Sequence, residues 1–125
     1  MHNFEKLKIW QKAMDIAVEV YEVSLLLPND EKFNLIHQIK KCAVSIPSNI
    51  AEGSGRNHNK EFIQFLGIAN GSTFELITQL ILAKRLKLIK RRNNSTNYQS
   101  VSRSFKHEFL ISKNIKLINK TIGKS

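Results

Sequence analysis

The sequence predicts an all-α fold: an up-down-up-down antiparallel four-helix bundle in which the second helix is kinked at Pro47. The 125-residue length is that of a single domain, assigned to residues 1–125. Only 5 Gly and 2 Pro occur, and a sheet protein of this size needs more turns than they supply. Apolar residues instead recur with helical spacing over four stretches, about residues 7–27, 30–53, 58–86 and 97–121.

The first helix has an unusually wide apolar surface. Asn3 is placed to cap an opening turn, and the helix stops before Pro28. The apolar arc of this helix approaches twice the width of the apolar stripe of an ordinary surface helix. We therefore expect one side of the helix to pack in the core and another side to pack against a neighbouring subunit. Trp10 and Tyr21 are predicted core or oligomer-interface aromatics, although Trp10 could also stack on a nucleic-acid base. The polar side chains share one narrow arc: Lys12, Asp15, Glu19 and Glu22.

The second helix has recognisable signals at both ends. Asn29 is a good N-cap residue, and the two acids that follow it suit a first turn because the helix dipole favours negative charge there. Pro47 lacks an N–H and disfavours the helical conformation of the residue before it, so we expect a kink at that point. Gly53 and Gly55 are natural helix stops.

The third and fourth helices follow after short polar turns. The third starts at Asn57 or Asn59, and apolar residues cover more than half its circumference, which predicts a central helix packed on two sides. Thr96 and Gln99 form a capping box for the fourth. The apolar stripe of that helix rotates by roughly 100° near residues 109–112, so a bulge, a break or a change of packing partner is expected there.

Positive charge is concentrated in the last third of the chain. The formal net charge is +10, yet residues 1–83 carry 8 Lys+Arg against 9 Asp+Glu, whereas residues 84–125 carry 12 against one. A solvated face is the ordinary explanation of such charge, but its confinement to one segment favours a surface that binds a polyanion, either RNA or DNA. The predicted phosphate contacts are Lys84, Arg85, Lys87, Lys90, Arg91, Arg92, Arg103, Lys106, Lys113, Lys116 and Lys120.

The search for catalytic and metal-binding residues gives no enzyme prediction. The chain has no Glu-x-x-His pair of a di-iron bundle, no glycine-rich phosphate loop and no second cysteine beside Cys42, which is a predicted small core residue. The polar residues Ser48, Asn49, Glu52 and Glu75 are predicted to form a structural network that satisfies backbone groups freed by the proline. The alternative is a binding or catalytic carboxylate pair. We therefore predict a protein that is not an enzyme and has no cofactor.

Composition also bears on the cellular compartment. A single cysteine excludes an intramolecular disulfide framework and suits a reducing cytosol. No run approaches 18 consecutive apolar residues, and the first residues lack the apolar core of a signal peptide. We expect a cytoplasmic protein with no membrane partner.

Four motifs together resemble one known family. They are Phe4-x-x-Leu7-x-x-Trp10-Gln11-x-Ala13; Ile39-Lys40-Lys41-x-Ala43-x-Ser45-Ile46-Pro47-Ser48-Asn49-Ile50-Ala51-Glu52-Gly53; Arg56-x-x-x-Lys60-Glu61-Phe62-x-x-Phe65-Leu66; and Gly71-Ser72-x-x-Glu75-Leu76-x-x-Gln79-Leu80. Over about residues 4–86 they resemble the bacterial 23S rRNA intervening sequence proteins, or S23 family. A related branch is the accessory variability determinant of diversity-generating retroelements. Secondary candidates for phosphate contacts lie within these motifs: Lys40, Lys41, Arg56 and Lys60.

The resemblance implies a short up-down helical bundle that assembles as a ring-like homopentamer and has a link to RNA. It also suggests a reverse transcriptase as partner, since the related accessory protein binds one together with its template RNA. Arg85 to Lys87 stand where the family usually has a glycine turn. The predicted function is therefore that of a non-enzymatic, RNA-preferring oligomeric bundle associated with rRNA intervening sequences. The alternative is an interaction or scaffold module that docks such a partner and has no direct RNA role.

Overall fold

A computed structural model describes residues 3–31 and 33–88. Within these ranges the chain forms three α-helices: α1 (Lys8–Ser24), α2 (Leu35–Ser54) and α3 (Asn59–Arg85). Two 3₁₀ turns, Phe4–Lys6 and Asn29–Glu31, precede α1 and α2. No β-strand occurs in these ranges, so the all-α prediction is confirmed.

The prediction of a four-helix bundle is wrong, because the part of the chain that the structure describes has three α-helices and not four. The predicted fourth helix, residues 97–121, lies outside the described residues. Each observed helix follows from one continuous apolar pattern in the sequence. The prediction for residues 97–121 instead joined two apolar stripes that are out of phase by about one residue, and one straight helix cannot bury both stripes against the same partner.

α1 ends three residues earlier than predicted because the chain tightens before Pro28. The N–H groups of Leu25, Leu26 and Leu27 bond the carbonyls three residues earlier, at 3.2, 2.9 and 3.2 Å, which is 3₁₀ geometry. Before α1, the Asn3 carboxamide oxygen accepts a hydrogen bond from the Glu5 N–H at 3.2 Å. The predicted cap of an opening turn is therefore confirmed.

α2 begins at Leu35, five residues after the predicted start. Asn29 and the two acids form a 3₁₀ turn instead, and a Glu31 carboxylate oxygen accepts from the Leu35 N–H at 3.3 Å. The side chain that serves the start of α2 is thus Glu31 and not Asn29. α2 is helical on both sides of Pro47 and ends with Gly55 as its C-cap, which confirms the glycine stop. The kink at Pro47 stays a prediction.

α2 is the central helix of the described structure. α1 and α3 both pack against it, and within the described ranges they do not contact each other. α2 can serve both neighbours because its apolar residues cover two adjacent sides. The buried apolar core consists mainly of Ala13, Ile16, Val20, Ile39, Ala43, Ile46, Ile50, Leu66, Ala69 and Leu76.

α2 and α3 run antiparallel, and their backbones approach closely near the turn that joins them. Ser45 lies opposite Ser72, with the two hydroxyl oxygens 2.8 Å apart. A Cβ atom on Gly53 would lie 2.5 Å from the Cβ of Phe65, so glycine is required here by the close approach of α3. These two contacts fix the register in which the candidate functional residues lie.

Candidate nucleic-acid interface

Seven of the predicted phosphate-contacting residues lie in the described structure, and they do not form one patch. Arg56 and Lys60 flank the turn between α2 and α3, whereas Lys84, Arg85 and Lys87 lie at the end of α3. Lys60 and Lys84 are 24 residues apart on one helix, which is about 36 Å along its axis. The other predicted primary contacts fall outside the described residues: Lys90, Arg91, Arg92, Arg103, Lys106, Lys113, Lys116 and Lys120.

α3 ends in a turn that leaves its three basic side chains exposed. The Leu88 N–H bonds the Ala83 carbonyl at 3.1 Å, and the Lys87 N–H bonds the Lys84 carbonyl at 3.0 Å. These are the two hydrogen bonds of a Schellman motif. Lys87 has a φ of 55°, the left-handed conformation in which glycine is the usual residue. Leu88 packs against the core and so anchors the turn.

The charges of Lys84 and Arg85 also have a structural explanation. Cations in the last turn of a helix interact favourably with the partial negative charge of its C-terminus, and both residues lie in the last turn of α3. Lys87 lies beyond that turn, in a backbone conformation that disfavours any residue with a side chain. Stabilisation of the helix end therefore accounts for Lys84 and Arg85 better than for Lys87.

Two of the four secondary candidates are engaged by other side chains. The Arg56 guanidinium forms an ion pair with Glu52, with Nη2 3.1 Å from Oε1, and also lies over an aromatic ring of α3. The Lys40 ammonium lies 4.9 Å from the ring centroid of Tyr21. A phosphate would compete with these contacts for either cation. The other two secondary candidates, Lys41 and Lys60, are exposed.

Of the polar residues predicted to form a network around Pro47, Asn49 is hydrogen-bonded to one member of a pair of serines that the prediction did not include. The Asn49 amide nitrogen donates to the carbonyl and hydroxyl oxygens of Ser45 at 2.7 and 2.9 Å. The Ser45 hydroxyl in turn meets that of Ser72 on α3. Ser48 is exposed. The sequence did contain a signal for Ser45, because its spacing of four residues from Asn49 places both on one helix face. No local spacing indicates Ser72, which lies on another helix.

The structure does not bring Glu52 and Glu75 together. Glu52 pairs with Arg56, whereas Glu75 lies near Cys42, ten residues before Glu52 on α2 and about 15 Å away along its axis. Burial raises the pKa of the Cys42 thiol, and the Glu75 charge raises it further. Cys42 is buried, as predicted, and its raised pKa disfavours the nucleophilic thiolate. Residues 3–31 and 33–88 contain no group of three or more His, Cys, Asp and Glu that could hold a metal ion.

Phe33 is a highly exposed aromatic residue that lies outside the observed helices. It lies within the predicted second helix, residues 30–53, but it precedes the observed α2 and is 84% exposed. In the antiparallel pair, the start of α2 lies opposite the end of α3. Phe33 therefore lies at the same end of the molecule as Lys84, Arg85 and Lys87. The late start of α2 leaves the ring outside the core.

α1 carries a second apolar stripe outside the face that is buried against α2. The stripe consists of Met14, Val18, Tyr21 and Leu25, whose 4-3-4 spacing places them on one face. Val18 is 58% exposed and Leu25 is 76% exposed, in agreement with the wide apolar arc predicted for this helix. Trp10 is half-buried against the core, where its ring packs edge-on against a second aromatic ring.

α3 also exposes apolar side chains on the sides that α2 does not cover. It is the one helix in the described ranges that is long and apolar enough to cross a membrane. The sequence prediction did not identify it, because α3 contains no run of 18 consecutive apolar residues. Glu75 lies near its middle, and a carboxylate is unfavourable inside a lipid bilayer. A helix packed on two sides, as the sequence predicts for α3, has the same composition, although within the described ranges α3 packs on α2 alone. The half-exposed residues are Ile63, Ile68, Phe74, Ile81 and Leu82.

Comparisons with known proteins point to one family. No curated protein matches the chain. A crystal structure of a protein of unknown function from the S23 ribosomal protein family of Bacteroides thetaiotaomicron is similar in fold, with a TM-score of 0.69 and 24% identity, over 91% of this chain and 97% of that one. A family model described as 23S rRNA-intervening sequence protein matches residues 5–108. Because this match spans most of the sequence, the chain belongs to the 23S rRNA intervening sequence protein family.

Proposed function

We propose that this protein is a non-enzymatic, RNA-binding homo-oligomer whose basic last third contacts RNA phosphates. The observation that carries the proposal is the confinement of the positive excess, 12 basic residues against one acid, to residues 84–125. That segment begins at the exposed basic end of α3. Lys and Arg that neutralise phosphates release bound counterions, and this release supplies the affinity of sequence-independent binding. Membership of the intervening sequence family supports RNA over DNA as the polyanion.

Such binding would discriminate weakly among RNA sequences. Contacts to phosphates position a protein on a nucleic acid but carry no sequence information. The sequence contains no recognised base-reading motif, and the primary candidates in the described ranges, Lys84, Arg85 and Lys87, lie at a helix end. We therefore expect affinity to follow the number of accessible phosphates and the salt concentration.

Self-association is the second part of the proposal. The outward stripe of α1 has the 4-3-4 spacing of a helix–helix seam, and it keeps apolar area in water until a second copy covers it. The resemblance to the S23 family favours a ring-like pentamer. Each copy would present its own basic segment, so assembly would raise avidity without any new contact.

A second candidate function is the docking of a protein partner such as a reverse transcriptase. The resemblance to the accessory variability determinant suggests this partner. The exposed apolar side chains of α3 favour the idea, because contiguous exposed apolar surface is typical of protein interaction sites. In that case the basic segment would bind the partner, or RNA already held by it.

The test is fluorescence anisotropy of the full chain with a labelled, structured RNA at about 50 to 200 mM salt. A protein with about six phosphate contacts loses about 10³-fold in affinity over this range. The variant Arg91→Glu with Arg92→Glu should bind more weakly than wild type. Lys6→Glu with Lys8→Glu changes the net charge equally but at the start of α1, away from the basic end of α3, and it should retain most of the affinity.

Two results would reject the proposal. One is the absence of binding at the lowest salt, and the other is an affinity that salt does not change. If charge reversal at Arg91, Arg92, Lys113 and Lys116 abolishes a reverse transcriptase complex but leaves RNA binding intact, the docking function is favoured instead.

A further inference from the structure

We propose that Phe33 and the basic end of α3 together form a binding site for single-stranded RNA. Lys84, Arg85 and Lys87 hold phosphates, and the Phe33 ring stacks on an unpaired base. This inference rests on the proposed RNA-binding function and narrows its substrate to RNA with unpaired bases. Within the described ranges, this is the end of the molecule at which a highly exposed aromatic ring and a cluster of cations coincide.

The register of α2 and α3 brings the ring and the cations to one end. Ser45 lies opposite Ser72, and Gly53 lies opposite Phe65. Continued toward the start of α2, the same antiparallel register places residue 33 level with residues 84–86. The ring and the cations thus lie within reach of neighbouring nucleotides of one strand.

The chemistry of this combination selects single strands. Proteins that bind single-stranded nucleic acid combine cations that track the backbone with aromatic rings on which bases stack, and every base offers a π-face. In an RNA duplex the base faces are already stacked on one another, so a surface ring has no base to contact and only phosphates remain. Stacking also removes apolar ring area from water, and 84% of Phe33 is exposed.

Lys87 gives independent support for a binding role at this end. Its φ of 55° is unfavourable for a residue with a side chain. The hydrogen bonds of the turn come from the backbone, so glycine would keep them and relieve the strain. A residue that keeps its side chain in a strained conformation points to a function for that side chain. The Lys87 ammonium contacts a phosphate of the bound strand.

The first experiment compares the full chain on a single-stranded RNA and on an RNA duplex with the same number of phosphates, at one salt concentration. Wild type should bind the single strand more tightly. Phe33→Ala should weaken single-strand binding by about 5- to 160-fold, the range for loss of one stacked base, and leave duplex binding unchanged. Phe33→Trp should keep the single-strand affinity. Ile63→Ala truncates a half-exposed apolar side chain at the far end of α3 and should change neither affinity.

The second experiment separates the charge of Lys87 from the fold of the turn. Lys87→Gly should melt at or above the wild-type temperature yet bind the single strand more weakly. The slope of log affinity against log salt should become shallower by about 0.7, the value for one phosphate contact on a single strand. Lys87→Arg should keep the wild-type affinity and slope. A Lys87→Gly protein that is more stable and has unchanged affinity and slope would overturn the role of Lys87.

The outcomes distinguish the inference from the function on which it rests. If wild type binds neither RNA at low salt, the proposed RNA-binding function is wrong, and the single-strand site is rejected as well. If both RNAs bind but the duplex binds as tightly as the single strand, the single-strand assignment is overturned while RNA binding stands. The single-strand assignment is also overturned, while RNA binding stands, if Phe33→Ala weakens the binding of both RNAs equally or of neither.

Discussion

Gly53 is the residue whose replacement tests the packing of α2 on α3 most directly. An added Cβ atom would lie 2.5 Å from Phe65 Cβ, 3.2 Å from Phe62 Cδ1 and 3.3 Å from Phe65 Cγ. Carbon atoms in contact are about 3.5–4.0 Å apart, so the shortest distance is too small by about 1 Å. Phe65 Cβ is attached directly to the backbone, and α3 itself must shift to relieve the overlap.

The expected cost of Gly53→Ala combines two opposing terms. Overpacking of a close contact costs about 1–3 kcal/mol. Alanine is better than glycine by up to about 1 kcal/mol inside a helix, and Gly53 gains less because it lies at the end of α2. We expect the free energy of unfolding to fall by about 1–2 kcal/mol. The melting temperature should fall by roughly 3–10 °C.

The assay is thermal and urea unfolding followed by far-UV circular dichroism. Gly67→Ala and Gly71→Ala are matched controls, because nothing lies within 4 Å of a Cβ atom at either position. Both lie inside α3, so both should raise the stability by up to about 1 kcal/mol. A Gly53→Ala protein that melts at or above the wild-type temperature would refute the close approach of the two helices.

Three further predictions concern assembly, hydrogen bonding and the buried thiol. If the protein self-associates as proposed, Val18→Asp should shift the mass distribution in native mass spectrometry from oligomer to monomer, because assembly would bury an unpaired charge; an unchanged mass distribution would contradict the proposed seam. Ser45→Ala and Ser72→Ala should couple by about 0.5–1.5 kcal/mol in a double-mutant cycle, and additive effects would contradict their hydrogen bond. The Cys42 pKa lies above its ordinary value of 9.0 because the thiol is buried. The folded state thus holds the proton more tightly, and this contribution to stability is present below pH 9 and lost as the pH rises through the folded pKa. Wild type should therefore lose stability above that pH more steeply than Cys42→Ala, and equal slopes would contradict the shift.

The existence of α1, α2 and α3 could be predicted because each has a continuous apolar pattern of helical period. The C-terminal ends of α1 and α2 also had local signals, Pro28 after α1 and Gly55 after α2. The start of α2 did not, since Asn29 and Glu31 are both acceptable near a helix start and the choice depends on how the chain turns after Pro28. An apolar pattern predicts the position of a helix more accurately than the residue at which the helix begins.

The candidate site depended on information that no local pattern carries. The Ser45–Ser72 contact joins residues far apart in sequence, and the exposure of Phe33 depends on the late start of α2. The left-handed conformation of Lys87 was also invisible, because glycine is the residue expected there. The basic segment could be recognised from charge alone, but charge did not separate the two ends at which the described cations lie.

Because α1 and α3 contact α2 but not each other, every contact between the described α-helices joins neighbours in the sequence. Such local contacts favour fast folding, since little loop entropy is lost before they form. They also allow α1 to detach while α2 and α3 stay paired, so the amides of α1 should exchange with solvent at a lower opening free energy than those of α2. The helix that opens most readily carries the stripe assigned to self-association. Its protection from exchange would therefore rise with protein concentration, which links the local stability of α1 to assembly.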